Sequence, residues 1–103
     1  MKPPEHAPLT ADMQAALQLL ARSTDSALVR LHSQWWVLES HARGGVNQLT
    51  AESLQAGRPV YDRPVVHTHT VDALVRRARL RLTGPKRKGP GYNGRARAEV
   101  IPQ

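Results

Sequence analysis

The chain has no cysteine and no phenylalanine, and its aromatic residues are limited to Trp35, Trp36, Tyr61 and Tyr92. Without cysteine there are no disulfides and no thiolate metal sites, and nothing points to an oxidising compartment. No segment approaches the roughly 20 consecutive apolar residues that a membrane span requires. The start, MKPPEHAPLTADMQ, has no apolar run of the signal-peptide kind. The expectation is a cytoplasmic protein of bacterial or phage-like type, nucleoid-associated if it binds DNA. Acidic residues are scarce in one region in particular. From Ala73 to Gln103 nine basic residues face a single acid, Glu99, a net of +8, whereas the first 72 residues carry six basic and seven acidic side chains. A cationic surface this local is the electrostatic footprint of a partner rich in phosphate. A basic tail that only aids solubility is the bland alternative, but here the basic residues interleave with apolar ones at structured spacing.

At 103 residues the chain has room for one modest core, burying roughly 60–68% of its unfolded surface. Residues 1–8 hold three prolines and read as a flexible N-terminal arm, leaving 9–101 as a single domain. Thr10 is placed to cap a helix over about 11–22, in which Met13, Ala16, Leu17 and Leu20 form an i, i+3, i+4, i+7 stripe. In ALVRLHSQWWVLES two β-branched and aromatic runs flank a polar pair, the pattern of a hairpin. Alternation puts Trp36 and Leu38 on one face and Trp35 and Val37 on the other. Core packing is the simpler use of the tryptophans, a stacking platform for bases the sharper one. Ala42–Asn47 reads as a turn, Thr50–Gly57 as a short helix, and 58–64 as extended loop.

A second stripe, Val71, Leu74, Val75 and Ala78, follows Thr70 and Asp72, which suit the cap and first turn of another helix. On a helical wheel His69, Ala73 and Arg76 point most nearly away from it, flanked by Thr70, Asp72 and Arg77. The period changes at Leu80: Leu80 and Leu82 alternate with Arg79, Arg81 and Thr83. Four glycines and two prolines in 84–94 predict a flexible basic loop holding Lys86, Arg87, Lys88, Tyr92 and Asn93. A returning strand alternates Arg95, Arg97 and Glu99 with Ala96, Ala98 and Val100.

The stretch VVHTHTVD invites a metal reading, since His67 and His69 would share one face of a strand and Asp72 adds a carboxylate. Asp72 falls beyond the expected helix start, however, which breaks a strand-based site. No serine elbow or phosphate-cradling glycine loop opening a helix is present. The expectation is a protein that is not an enzyme, with no metal and no cofactor. HTHT reads instead as the lead-in and cap of a helix whose outer face fits the major groove of DNA. His69, Thr70, Ala73, Arg76 and Arg77 are the candidates for base contacts. Arg79, Arg81, Lys86, Arg87, Lys88, Tyr92, Asn93, Arg95 and Arg97 are the candidates for the phosphate backbone.

The residues Thr70-Val71-x-x-Leu74-x-x-Arg77 followed by Leu80 resemble the winged helix-turn-helix family of DNA-binding domains, in particular small regulators of bacterial, phage and mobile-element origin. These domains often carry T-V-x-x-L-x-x-R-G-L where the helix ends and the first wing strand begins. The resemblance implies an α+β winged-helix fold with an N-terminal helix, a β-hairpin, a short helix, a recognition helix over 70–79 and a two-stranded basic wing with 84–94 as its tip. It also implies a transcriptional regulator that binds double-stranded DNA as a homodimer. Ala78 and Arg79 stand where the pattern has glycine and an apolar residue. The link from Gly57 to His67 exceeds a tight turn, so either the preceding helix is displaced or an extra strand through Val65-Val66 intervenes. Two other readings stay open: a phage-like inhibitor or adaptor that sets its basic surface against an acidic host protein, and an RNA-binding module. None of these readings calls for a membrane or a small-molecule substrate.

Overall fold

The computed structural model describes residues 8–32, 34–89 and 92–102, with the side chains of residues 32, 87–89, 92 and 93 outside the described set. It is an α+β fold. In chain order come α1 (Ala11–Arg22), β1 (Ala27–His32), β2 (Trp35–Leu38), α2 (Glu39–Gly44), α3 (Thr50–Ala56), β3 (Val66–His67), α4 (Thr68–Arg76), β4 (Leu80–Gly89) and β5 (Tyr92–Val100). The strands form one antiparallel sheet in the order β3-β2-β1-β5-β4.

Helix α1 begins where its cap dictates: the Thr10 hydroxyl accepts from the Met13 amide at 3.2 Å. Its apolar stripe buries Met13, Ala16 and Leu20. These pack with Val71 and Leu74 of α4 and with Leu28, Trp36, Leu38, Val66, Leu80 and Ala98 of the sheet. The two helices therefore cover one sheet face, and that layer is the core.

The other face belongs to α2. Register places Val29 beside Val37 and Arg97, and Ala27 beside Glu99. Helix α2 occupies 39–44, where a turn from 42 to 47 was expected. It has no buried residue of its own and no side-chain cap. It is held by long-range pairs: Glu39 takes hydrogen bonds from Arg97 at 2.9 and 3.3 Å, and Ser40 donates through its amide and hydroxyl to Asp25.

Between α3 and α4 the extra strand does intervene. β3 pairs with β2 through Trp35↔His67 and Trp36↔Val66, so α3 and α4 are not joined by a tight turn. The excursion containing α3 is closed at its base by the Gln48↔Tyr61 bridge and by Asp62, which accepts from the Asn47 amide and side chain.

Helix α4 starts two residues before the expected cap. His67 is its N-cap residue, and the His67 Nδ1 accepts from the His69 amide at 3.0 Å. It ends at Arg76, three residues short of the expected 79. Arg79 N–H reaches the Leu74 carbonyl at 2.9 Å and Ala78 N–H the Val75 carbonyl at 3.0 Å, a Schellman closure. That closure puts Ala78 at φ +57, a backbone region that costs an L residue about 1–2 kcal/mol.

Of the flexible loop expected over 84–94, residues 90 and 91 lie outside the described residues, and 86–89 and 92–94 are strand-paired. Lys86↔Arg95, Arg87↔Gly94, Lys88↔Asn93 and Gly89↔Tyr92 continue the ladder beyond a bulge between Thr83 and Lys86. Gly84 takes φ +80 there, which glycine adopts freely. Pro85, which lacks an N–H, falls within the bulge, where none is required.

Candidate nucleic-acid interface

The β4–β5 hairpin has a root and an outer half. At the root, β5 is sandwiched between β1 and β4, with the last β1 partner at Val29↔Arg97. Beyond it only β4 and β5 pair, so Lys86–Gly89 and Tyr92–Arg95 form a two-stranded ribbon. Four basic residues, Lys86, Arg87, Lys88 and Arg95, fall on this ribbon, and no acid occurs between residues 84 and 98. Lys86 and Arg95 are exposed. Arg95 donates to the Gly84 carbonyl, which folds its guanidinium back across the bulge. The side chains of Arg87, Lys88, Tyr92 and Asn93 lie outside the described residues, although their backbone registers are set.

The root cations are differently engaged. Arg97 is clamped between Glu39 and Glu99, with Nε to Glu39 Oε2 at 2.9 Å and Nη1 to Glu99 Oε2 at 2.6 Å. Arg81 meets Glu99 Oε1 at 3.0 Å. Hydrogen bonds from Arg97 pull the carboxyls of Glu39 and Glu99 below their ordinary values, and those two acids push Arg97 above its own. Arg97 thus serves the fold at the sheet face under α2 and is not open to phosphate without breaking these pairs, whereas Arg81 gives one nitrogen to Glu99 and is otherwise exposed.

Helix α4 offers less surface than the wheel implied. Ala73, expected among the base-reading residues, is 8% exposed and belongs to the core. Thr68 and Leu74 are buried as well, Thr70 and Arg77 are half-buried, and only His69, Asp72 and Arg76 are fully outward. The reason is that α4 is flanked by α1 as well as seated on the sheet, so the buried arc is wider than one stripe. Ala78 and Arg79 lie beyond its end.

Topology separates the expected site residues. The α4 start lies at the β1–β2 turn, where Thr68 N–H donates to the Gln34 carbonyl. Its end lies at the opposite edge of the molecule, where the Arg79 carbonyl accepts from Ile101. Because β5 runs antiparallel to β1, the ribbon tip points towards the β1–β2 turn. His69 and Thr70 therefore share an end of the molecule with the ribbon, whereas Arg76 and Arg77 sit about 10 Å further along the helix, with Arg79 beyond them. Alternation also puts Lys86 and Arg95 on the strand side shared with Arg97, away from α4. The cations are not gathered on a single face.

The chain matches no protein-family model, no curated protein and no solved structure. Among the described residues, no three histidine or acidic side chains come together as a metal site, and none of the helices is long and apolar enough to cross a membrane.

Two features went unseen in the sequence. Thr68, buried between α4 and the sheet, accepts from Arg30 Nη2 at 2.8 Å and Trp36 Nε1 at 3.2 Å, with the Arg30 guanidinium 5.1 Å from the Trp36 ring centre. A row of rings also lines the β3 edge: Tyr61, Trp35, His67 and His69, at successive centre distances of 6.4, 5.1 and 4.7 Å. The alternation in the WWVL run signalled that Trp35 leaves the core, but its ring partners come from distant segments that no local pattern reveals.

Proposed function

We propose that this protein binds double-stranded DNA, as a small regulator in which the β4–β5 ribbon is the wing and α4 the helix preceding it. The observation that carries this reading is the ribbon: a projecting antiparallel pair with four cations, no acid, and a fixed strand register. The major groove admits such a two-stranded ribbon as readily as a helix. Cations there gain affinity by releasing counterions from the phosphates. Base contacts fall to His69 and Thr70, at the ribbon end of the molecule. Arg76 and Arg77 act as a second, separate contact with the backbone, and Arg97 and Arg81 hold the ribbon root in place. A second copy on a two-fold site completes the regulator. The β4 edge is a poor dimer surface, because Pro85 and the Lys86–Lys88 run oppose strand-on-strand pairing.

The test is fluorescence anisotropy with a labelled random duplex across a salt series, comparing the native chain with K86A/R87A/K88A. Three lost phosphate contacts should lower the slope of log affinity against log salt by about 2.7. R76A should weaken binding with a slope change of about 1 or less. Duplex binding that is unchanged in the triple variant would overturn the reading. Binding confined to RNA, or to an acidic protein captured from the host, would replace DNA as the partner.

A further inference from the structure

At the opposite sheet edge from the ribbon, α1, β3 and the start of α4 enclose an open cleft of about 580 Å3, within the size range of small-ligand sites. Ala16 and Leu19 of α1 and Val66 of β3 give it an apolar floor, and Trp35 forms part of its wall. The Trp35 ring makes T-shaped contacts with His67 and Tyr61, which fix its orientation. Arg22 and Arg58 line the same cleft. Both are exposed, and among the described residues neither forms an ion pair. Asp12 lines it too, ten residues before Arg22 on the same helix and hence about 15 Å away along the axis. A flat ring, two guanidinium groups lining the same cleft and a carboxylate at the far end of α1 from Arg22 are the complement of one ligand shape: an aromatic base with amino groups at one end and a phosphate at the other.

We propose that this cleft binds a nucleoside monophosphate unit. The base lies against Trp35 and the apolar floor, the phosphate accepts from Arg22 and Arg58, and Asp12 accepts from an exocyclic amino group. Arginine pairs suit phosphate because their planar forks donate two bonds at once. The unit comes either as a free nucleotide or as a nucleotide of a single strand, and the chemistry is the same. The cleft shares no residue with the ribbon and meets the proposed DNA surface only at Thr70, so variants of Arg22 and Arg58 and variants of the ribbon test the two proposals separately.

Tryptophan fluorescence tests it, since Trp35 lines the cleft and Trp36 is buried. The intact chain is titrated with AMP, adenosine, inorganic phosphate and a short single-stranded dA oligomer. AMP should produce a saturable change, with adenosine and phosphate each at least about tenfold weaker. R22A/R58A should weaken AMP by about tenfold or more and leave adenosine unchanged. K86A/R87A/K88A should leave AMP binding intact. Saturation by the oligomer alone, lost in R22A/R58A, assigns the unit to a strand and supports the site. No saturable response to any probe, AMP binding undiminished in R22A/R58A, or AMP binding lost in the ribbon variant would overturn it.

Discussion

Replacing Thr68 with valine removes one oxygen and keeps almost the whole volume. That oxygen is the shared acceptor for Arg30 Nη2 and Trp36 Nε1, and the Thr68 side chain is only 8% exposed. Trp36 is 1% exposed, so its indole N–H has no route to water and a stripped donor costs about 1–3 kcal/mol. Arg30 is half-buried and can turn towards solvent, which places its loss near the low end, about 1 kcal/mol. The sum is about 3 kcal/mol, a large part of the 5–15 kcal/mol typical of a domain. At this chain length it corresponds to a Tm drop on the order of 15 °C. Urea unfolding followed by tryptophan fluorescence measures it, with the m-value expected to stay constant. T68S retains the oxygen and should fall within about 1 kcal/mol of the native chain. A T68V loss below about 0.5 kcal/mol would show that the hydroxyl does not hold β1, β2 and α4 together, and the reasoning would fail.

Three further outcomes are expected. A78G should stabilise by up to about 1 kcal/mol in thermal melts, because glycine relieves the φ +57 strain at the cost of a more flexible unfolded chain; destabilisation would refute the strain. H67A should lose about 1 kcal/mol through the α4 cap, and H67N should recover most of it, since asparagine is among the best N-caps; equal losses would mean the cap is not the cause. Glu39 and Glu99 have carboxyls held below their ordinary value of 4.5, chiefly by Arg97. Their contribution to stability is therefore full above about pH 4.5 and is lost as pH falls through the lower folded values. In E39Q, acid unfolding monitored by circular dichroism should show a smaller loss of stability below pH 4.5 than in the native chain; identical acid dependence would refute the clamp.

What was legible in the sequence was local. The Thr10 cap and the Met13–Leu20 stripe give α1 residue for residue, and the alternation around Trp36 gives the first hairpin with its faces. Helix α2 was not legible because ESHARG has no apolar face; it exists through Glu39–Arg97, a pair 58 residues apart. The ribbon was hidden for the opposite reason. Glycine and proline favour loops locally, but cross-strand pairing beyond the bulge overrides that preference. For the candidate site, the cation count was readable but not its distribution. Parity did contain a hint: Leu80 and Ala98 face the core and hence α4, so Arg81 and Arg97 must face away from it. The buried state of Ala73 depended on α1 packing beside α4, a tertiary fact that a single wheel omits. Arg22 and Arg58 line one cleft although they lie 36 residues apart in the chain, and neither residue signals this alone.

The bulge at Gly84-Pro85 divides the hairpin into two independently registered stretches. Extending or trimming the outer stretch by matched residues on both strands would leave the pairing of Leu80–Thr83 with Arg97–Val100, and everything packed beneath it, unaltered. The projecting part is in effect a replaceable fitting on a fixed mount, free to acquire a new length or side-chain pattern without disturbing the folded body.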